Sequence, residues 1–486
     1  MKPTRHRLTI KERQKMPIHN LLKSAKVTPS NASKEEKLTD LVDTENFSQR
    51  FVRLHNLLQL YGKHKHPKLG CYDELQNRGD LVKWRYIPPK STTIYISHEW
   101  TGTDSPDPDG NQMYHLLLLL ERLQKGEISR TDMDAFHSIL YKQNHTTTAR
   151  EWKRILNSDK TYIWYDGFCV PRSRREDGFR SIPSYIRRCD FMIILVPGCT
   201  HFDRIDPRTQ RKMNLCYRTY RLRARCVFEL FCSFLTTRGG EKARPSLLVR
   251  SGTGTPNWIS PLECQKLAVG TSTFECCDTN HTQIKTCRRP LIEKILRGMI
   301  QGRVNSLFQR EDTLSEARWT SCFETWWLRG LSEISTKTDK IVTASDFNRC
   351  ILRRSDTSPW FDREGFPVLA YASLYNNSKV VKDLLQELDS IPDKRERSRC
   401  LVSRIPKQGL SHLGITGGIT ALVFAMGFAD KTIVSLLLEH GADPYVMFKG
   451  ESQEYIFFFF YLFFSLNDTS AQTLGTRVIL LDMMRS

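Results

Sequence analysis

The chain has 486 residues, room for two to four domains each with its own core. At 40% hydrophobic and 26% charged residues it has an ordinary globular composition, which excludes a chain disordered throughout. The net charge of +20 is localised: residues 1–40 hold ten Lys/Arg against four Asp/Glu, and residues 172–225 hold fourteen against five. That excludes an evenly spread polycation and leaves a basic belt able to steer any phosphate-bearing ligand.

Residues 1–40 are basic and polar and read as a disordered N-terminus, and "MKPTRHRLTIKERQKMP" lacks the apolar core of a secretory signal. Residues 41–90 read as a helical lead-in, with "FVRLHNLLQL" (51–60) carrying apolar residues at helical spacing. An alternation then begins at residue 91. "TTIYIS" (92–97) is strand-like, "MYHLLLLLERLQ" (113–124) helical, and "TYIWYD" (161–166) a second strand. A short helix at "IPSYIRRC" precedes a wholly apolar strand, "FMIILVPG" (191–198). A helix through "RARCVFELFCSFL" (223–235) and a fourth strand in "PSLLVRSG" (245–252) close the series. Continuous apolar strands separated by helices mark a parallel sheet covered on both faces.

In such sheets ligands bind beyond the carboxyl ends of the strands. There "IYISHEW" places Ser97, His98, Glu99 and Trp100, and the second strand places Asp166. These residues line a cleft, or Trp100 caps the core while His98 bonds a loop carbonyl. The following loop, "TGTDSPDPDGNQ", suggests a calcium hand, but aligning it on Asp107, Asp109 and Gly110 puts Leu116 where the twelfth-position Glu is required. A turn with Asp109 or Asn111 capping the next helix is the expectation.

Glu229 is the only charged residue in "CVFELFCSFL" (226–235), and a buried ionised carboxylate costs several kcal/mol unless paired or wet. Either it pairs with Arg225 one turn earlier, or it lines a pocket that needs a carboxylate. We expect Ser97, His98 or Glu99 within one side-chain length of Glu229, with Asp166 on the same rim.

Taken in order, "IYIS", "YIWYD", "IPSYIRRCDFMIILVPG", "RCVFEL" and "SLLVRSG" resemble a TIR domain over 91–255, with Cys226, Glu229 and Leu230 matching its Cys-x-x-Glu-Leu helix. The chain departs from the family where His98, Glu99, Trp100 and Thr101 replace the usual aromatic-Arg-Gly stretch, and in inserts at about 125–158 and 199–215. The Ser-His-Glu-Trp form joined to an ankyrin array is similar to a group of eukaryotic TIR-like proteins. The resemblance implies a TIR/flavodoxin-like parallel sheet and self-association through that domain. It also implies NAD as a substrate, with Glu229 steadying the positive charge that grows on the ribose. Arg218, Arg221, Arg223 and Arg225 of the basic belt would attract the pyrophosphate.

Residues 256–355 read as a helical connector. "FECCDTNHTQIKTC" (274–287) gathers Cys276, Cys277, His281 and Cys287, but this spacing matches no structural zinc pattern and adjacent cysteines strain a tetrahedral site, so buried thiols and no metal are expected. "LSEARWTSCFETWWLRGL" (314–331), with Trp319, Trp326 and Trp327, reads as an amphipathic helix that is core and docks the two halves.

Residues 356–447 resemble ankyrin repeats. In "GITALVFAMGFADKTIVSLLLEHGADP" (418–444) the signal rests on Gly418, Thr420, Ala421, Leu422, Ala425, Leu437, Leu438 and Gly441. "DREGFPVLAYASLYNNSKVVKDLL" (362–385) is a second copy through Gly365 and Ala370, 53 residues ahead, so about 20 residues are inserted beyond the usual period. Residues 448–486 form an irregular Phe-rich tail whose run "YIFFFFYLFFSL" has 12 residues, too short to span a bilayer.

The 14 scattered cysteines without a Cys-x-x-Cys pair point to a reducing, intracellular setting, cytoplasmic with the nucleus left open. The expected architecture is an α/β domain followed by an all-α array. The expected function is an adaptor that binds protein partners through both modules. The alternatives are an NAD hydrolase targeted by its repeats, and nucleic-acid binding through the basic segments, for which no aromatic-interleaved motif is visible.

Overall fold

The computed structural model describes residues 45–443, save 63, 142, 158, 207–208, 237–243, 279–286, 309–312, 332–342, 352–357, 407–409, 411–412, 414 and 416. The basic N-terminus, the Phe-rich tail and His281 therefore lie outside the described residues. The chain divides after Arg303 into two compact units.

The first unit is built on one mixed sheet. Its strands are β1 Arg50–Arg53, β2 Leu81–Lys83, β3 Thr92–His98, β4 Thr161–Trp164, β5 Phe191–Leu195, β6 Ser246–Val249 and β7 Asn257–Ile259. Their spatial order is β7-β6-β5-β3-β4-β1-β2. The central four run parallel, with Ile94 of β3 opposite Ile163 of β4 on one side and Phe191 of β5 on the other. Ile94, Tyr95, Ile193, Ile194 and Leu195 are wholly buried, as both-face coverage by helices requires.

The lead-in is not simply helical. Phe51–Arg53 complete β1, which pairs antiparallel with β4 through Val52 and Ile163, and helix α1 (Leu54–Tyr61) starts only afterwards. β2 then pairs with β1. Without these two strands β4 would present an open row of backbone donors and acceptors at the sheet edge.

At the start of helix α2 (Asn111–Lys125) Asp109 accepts from the Asn111 N–H at 3.3 Å, in line with the expected turn, and Asp107 does more. Asp107 accepts from the backbone N–H groups of Gln112 at 3.2 Å and Met113 at 2.8 Å. Gly110, at φ +67°, turns the chain so tightly that a Cβ there would meet the Pro67 carbonyl oxygen at 2.0 Å. Helices α3 (Ile182–Arg188) and α4 (Ala224–Leu235) follow. Each insert carries a small two-stranded ribbon, Arg130–Asp132 with Thr146–Thr148 and Thr200–Ile205 with Lys212–Asn214.

The second unit stacks helices: α5 Leu314–Trp327, α6 Ala344–Ile351, α7 Val368–Tyr375, α8 Ser378–Asp389, α9 Ala421–Phe428 and α10 Lys431–Glu439. α7 packs on α9 and α8 on α10, while α5 and α6 lie against α7 and α8 as a preceding layer. The tryptophan helix is core of this unit, as its sequence suggests. Trp319 sits 4.3 Å from Tyr371 and 4.9 Å from Phe424, centroid to centroid. Ala370, Ala421, Leu422, Ala425 and Leu437 are buried, whereas Leu438 is half-buried. Gly365 and Gly418 turn the chain ahead of α7 and α9 at φ +84° and +87°, and Gly441 (φ +86°) follows α10. The inserted residues between the two copies include a helix, Lys394–Val402, capped by Asp393.

Two polar devices hold these layers. Asp362, fully buried, accepts from the Ser315 hydroxyl, Arg318 Nη1 and the Tyr371 hydroxyl on Oδ2, and from the backbone N–H groups of Glu364 and Phe366 on Oδ1. Between the helix pairs, Asn376 accepts from the Asp430 N–H at 2.8 Å and donates to its carboxylate at 3.2 Å. No helix among the described residues is long and apolar enough to cross a membrane.

Candidate functional site

β3 lies between β4 and β5: the chain passes from β3 to β4 on one side and then crosses back over β3 to β5 on the other. That reversal opens a crevice at the carboxyl end of β3. Ser97 and His98 end β3, Glu99 and Trp100 follow it, and Asp166 lies just past β4. The expected neighbourhood is present: Ser97 and Asp166 both reach the Arg225–Glu229 turn of α4.

Glu229 is 1% exposed and its carboxylate is filled from within the protein. Oε1 accepts from the Tyr95 hydroxyl at 2.9 Å and from Arg225 Nε at 3.1 Å, and Oε2 accepts from the Ser97 hydroxyl. With its hydrogen directed at Glu229, Ser97 accepts from the Tyr220 hydroxyl at 2.6 Å. Burial pushes the Glu229 carboxyl above its ordinary value, outweighing Arg225 and the hydroxyl bonds. Both readings of this residue hold at once: it pairs with Arg225 and it touches the end of β3.

Arg225 bridges to a second carboxylate, donating through Nη2 to Asp166 Oδ2. Asp166 also accepts from Trp100 Nε1 at 2.8 Å and faces His98 Nε2 at 2.9 Å. Burial would raise the Asp166 carboxyl, but Arg225, His98 and the hydrogen bonds together hold it below the usual carboxylate range. Gln112 donates through Nε2 to the Glu99 carbonyl at 2.8 Å, which turns its Oε1 toward His98 Nδ1 at 2.7 Å. Nδ1 therefore carries a proton, and a second on Nε2 toward Asp166 makes the ring a cation. Burial opposes that charge, yet Asp166 wins and the His98 pKa is raised. With Glu229 ionised and His98 protonated, two carboxylates, one guanidinium and one imidazolium balance. His98 bonds side chains, not the loop carbonyl that its sequence setting allowed.

Three arginines of the basic belt, Arg221, Arg223 and Arg225, are spent on carboxylates, whereas Arg172, Arg174, Arg180, Arg211, Lys212 and Arg218 are exposed. Arg223 Nε meets Glu99 at 2.7 Å, whose other oxygen accepts from Thr219 Oγ1 at 2.7 Å. Arg221 meets Glu263 at 3.1 Å, and His137 Nε2 binds the second Glu263 oxygen at 2.8 Å. His137 Nδ1 accepts from the Ser260 N–H at 3.0 Å, fixing its neutral Nε2–H tautomer. Burial would raise Glu263, but Arg221 and His137 hold it below the usual range. Of the four expected phosphate-attracting arginines only Arg218 is exposed. The physical reason is that the apolar core around α4 places carboxylates where they need cationic partners.

Above this cluster lies a cavity of about 40 Å³ lined by His98, Glu99, Trp100, Arg223, Arg225 and Cys226 among others. Ser97 and Glu229 are not among its walls. The Trp100 ring carries the guanidinium of Arg175 at 4.8 Å and that of Arg225 at 5.7 Å. Space of this size holds a few waters. The arrangement orders charge well, but it turns Glu229 away from this space, whose acidic walls are Glu99 and Glu275.

Tyr95, Tyr220, Gln112, His137 and Glu263 escaped the sequence reading. Only Tyr95 left a signal, a hydroxyl inside an apolar strand that must find a partner. Elsewhere, the sulfurs of Cys276, Cys277 and Cys287 lie within 4.8 Å of one another. No family model, curated protein or solved structure matches the chain.

Proposed function

We propose that the chain is a signalling adaptor, with a TIR-like α/β domain and ankyrin-like helix pairs that both bind protein partners. The observation that carries this reading is the closure of Glu229, which is filled by Tyr95, Ser97 and Arg225 and is absent from the walls of the cavity above. A carboxylate that steadies charge on a ribose has to face the ribose. A cavity of about 40 Å³ also cannot take up a nicotinamide nucleoside. The stacked pairs α7–α8 and α9–α10, with glycine turns at Gly365 and Gly418, support the ankyrin-like half. Such arrays bind through side chains and carry no chemistry of their own.

NAD hydrolysis is the second reading. It is favoured by the Ser97–Glu229 contact at the strand-order reversal, where open α/β sheets take their ligands. Nucleic-acid binding loses support because Arg221, Arg223 and Arg225 are committed to carboxylates.

The test joins two measurements on the purified full chain. Incubation with NAD should release no more nicotinamide than the Glu229→Gln variant does. Cross-linking in cells should recover a defined partner that the core variant Leu437→Ala loses. Glu229-dependent nicotinamide release would put the hydrolase first, and identical partner recovery by the two chains would refute the adaptor reading.

A further inference from the structure

Three thiols converge in a place that the site above does not use. Cys276 and Cys277 are consecutive on the short helix Glu275–Asp278, and Cys287 returns to them ten residues after Cys277. The Cys276 and Cys277 sulfurs lie 3.9 Å apart and those of Cys277 and Cys287 4.0 Å apart, too far for a disulfide bond. They are close to what a shared ion demands. A tetrahedral ion bound at about 2.3 Å sets its sulfurs roughly 3.8 Å apart, and a trigonal one about 4.0 Å. Adjacency of Cys276 and Cys277 therefore does not prevent a common ligand position, contrary to the expectation from spacing alone.

The cluster is sheltered yet reachable. Cys276 is 1% exposed, while Cys277 and Cys287 are half-buried, so the cluster opens on one side. The Arg288 backbone N–H donates to the Cys276 sulfur, the kind of outer contact that steadies a metal-bound thiolate. Among the described residues three sulfurs and no carboxylate or imidazole make up the set, which selects soft cations over magnesium or calcium.

We propose that Cys276, Cys277 and Cys287 form a three-thiolate site for a thiophilic closed-shell cation, Zn²⁺ or Cu⁺. On binding, the ion displaces the three thiol protons to solvent and ties the Glu275–Asp278 helix to the start of the helix at Arg289. Three thiolates complete a trigonal Cu⁺ site, whereas Zn²⁺ takes a water as its fourth ligand.

The test uses the full-length chain, reduced without added thiol and stripped by a chelator. Anaerobic titration with Co²⁺ should give a near-ultraviolet thiolate-to-cobalt band that saturates at one equivalent. Bleaching by one equivalent of Zn²⁺ assigns a divalent site, and displacement by Cu⁺ alone assigns a monovalent one. Cys277→Ser should weaken Co²⁺ binding by at least about tenfold and remove roughly a third of the band, while Cys71→Ser, at an exposed thiol, should change neither. Cys287→Ser repeats the test should Cys277→Ser not fold. Unchanged affinity in the serine variants overturns the proposal, as does the absence of a saturable signal with Co²⁺ and Cu⁺. A Cys277–Cys287 disulfide in freshly alkylated protein also overturns it.

Discussion

In the buried quartet of His98, Asp166, Arg225 and Glu229, Asp166 is held below its ordinary value of 3.8 and has given its full contribution above that pH. From there upward His98 and Glu229 make the stability of the first unit fall as pH rises. His98 and Glu229 both hold their protons more tightly when folded than their ordinary values of 6.5 and 4.5 require. The native state therefore binds more protons than the unfolded chain between each ordinary value and its raised one. The Glu229 contribution is complete below pH 4.5 and is lost as pH rises through its raised value. The His98 contribution is complete below pH 6.5 and is lost above it in the same way. Each pKa unit of displacement is worth about 1.4 kcal/mol, close to a tenfold change in the open fraction.

Glu229→Gln separates this charge effect from packing. The amide still accepts from Arg225 and Tyr95, but its NH₂ must donate to Ser97, which then turns its hydrogen to Tyr220 and leaves the Tyr220 hydroxyl without its acceptor. That rearrangement costs about 1 kcal/mol at any pH. The variant should accordingly be less stable than the natural chain at pH 5, with the difference shrinking or reversing by pH 8. Amide exchange of peptides covering 92–98 and 224–235, corrected for intrinsic rates, reads this directly. A difference that stays constant from pH 5 to 8 would refute the reasoning.

Three other perturbations are informative. Arg225→Met strands two buried carboxylates and should cost about 3–5 kcal/mol in urea unfolding, with Arg225→Lys a poor rescue because one ammonium cannot copy the Nε and Nη2 bonds. Asp362→Ala leaves the buried Arg318 uncompensated and should strip exchange protection from 314–327 and 368–375 by a similar free energy. Leu437→Ala should cost about 2–5 kcal/mol in thermal melting of the second unit, and the half-buried Leu438→Ala well under that; equal losses would mean that α10 is rotated about its axis.

The parallel strands were legible because a run such as "FMIIL" can hardly be anything but a strand buried on both faces. Phe51–Arg53 was not, since three residues are too few to separate a period of 2 from one of 3.6, and the helix that follows supplies the stronger pattern. Counting charge located the belt but said nothing of its partners. Arg221, Arg223 and Arg225 alternate along the entry to α4 and go to Glu263, Glu99, and Asp166 with Glu229, carboxylates that come mostly from distant parts of the chain.

Glu229 shows why the two sequence readings were not exclusive. On an exposed helix an Arg225–Glu229 pair is worth about 0.2–0.5 kcal/mol, too little to hold a carboxylate in an apolar core. Here the guanidinium is shared with Asp166, which in turn engages His98 and Trp100, so the pair is one edge of a network joining α4 to the ends of β3 and β4. The three elements that meet at the strand-order reversal are thereby clamped at the point where a ligand would enter. Opening the crevice would mean breaking the Arg225–Asp166 contact, leaving Arg225 to Glu229 alone and Asp166 to His98 and Trp100. That cost, more than the identity of any one side chain, is the physical support for the proposed adaptor reading over hydrolysis.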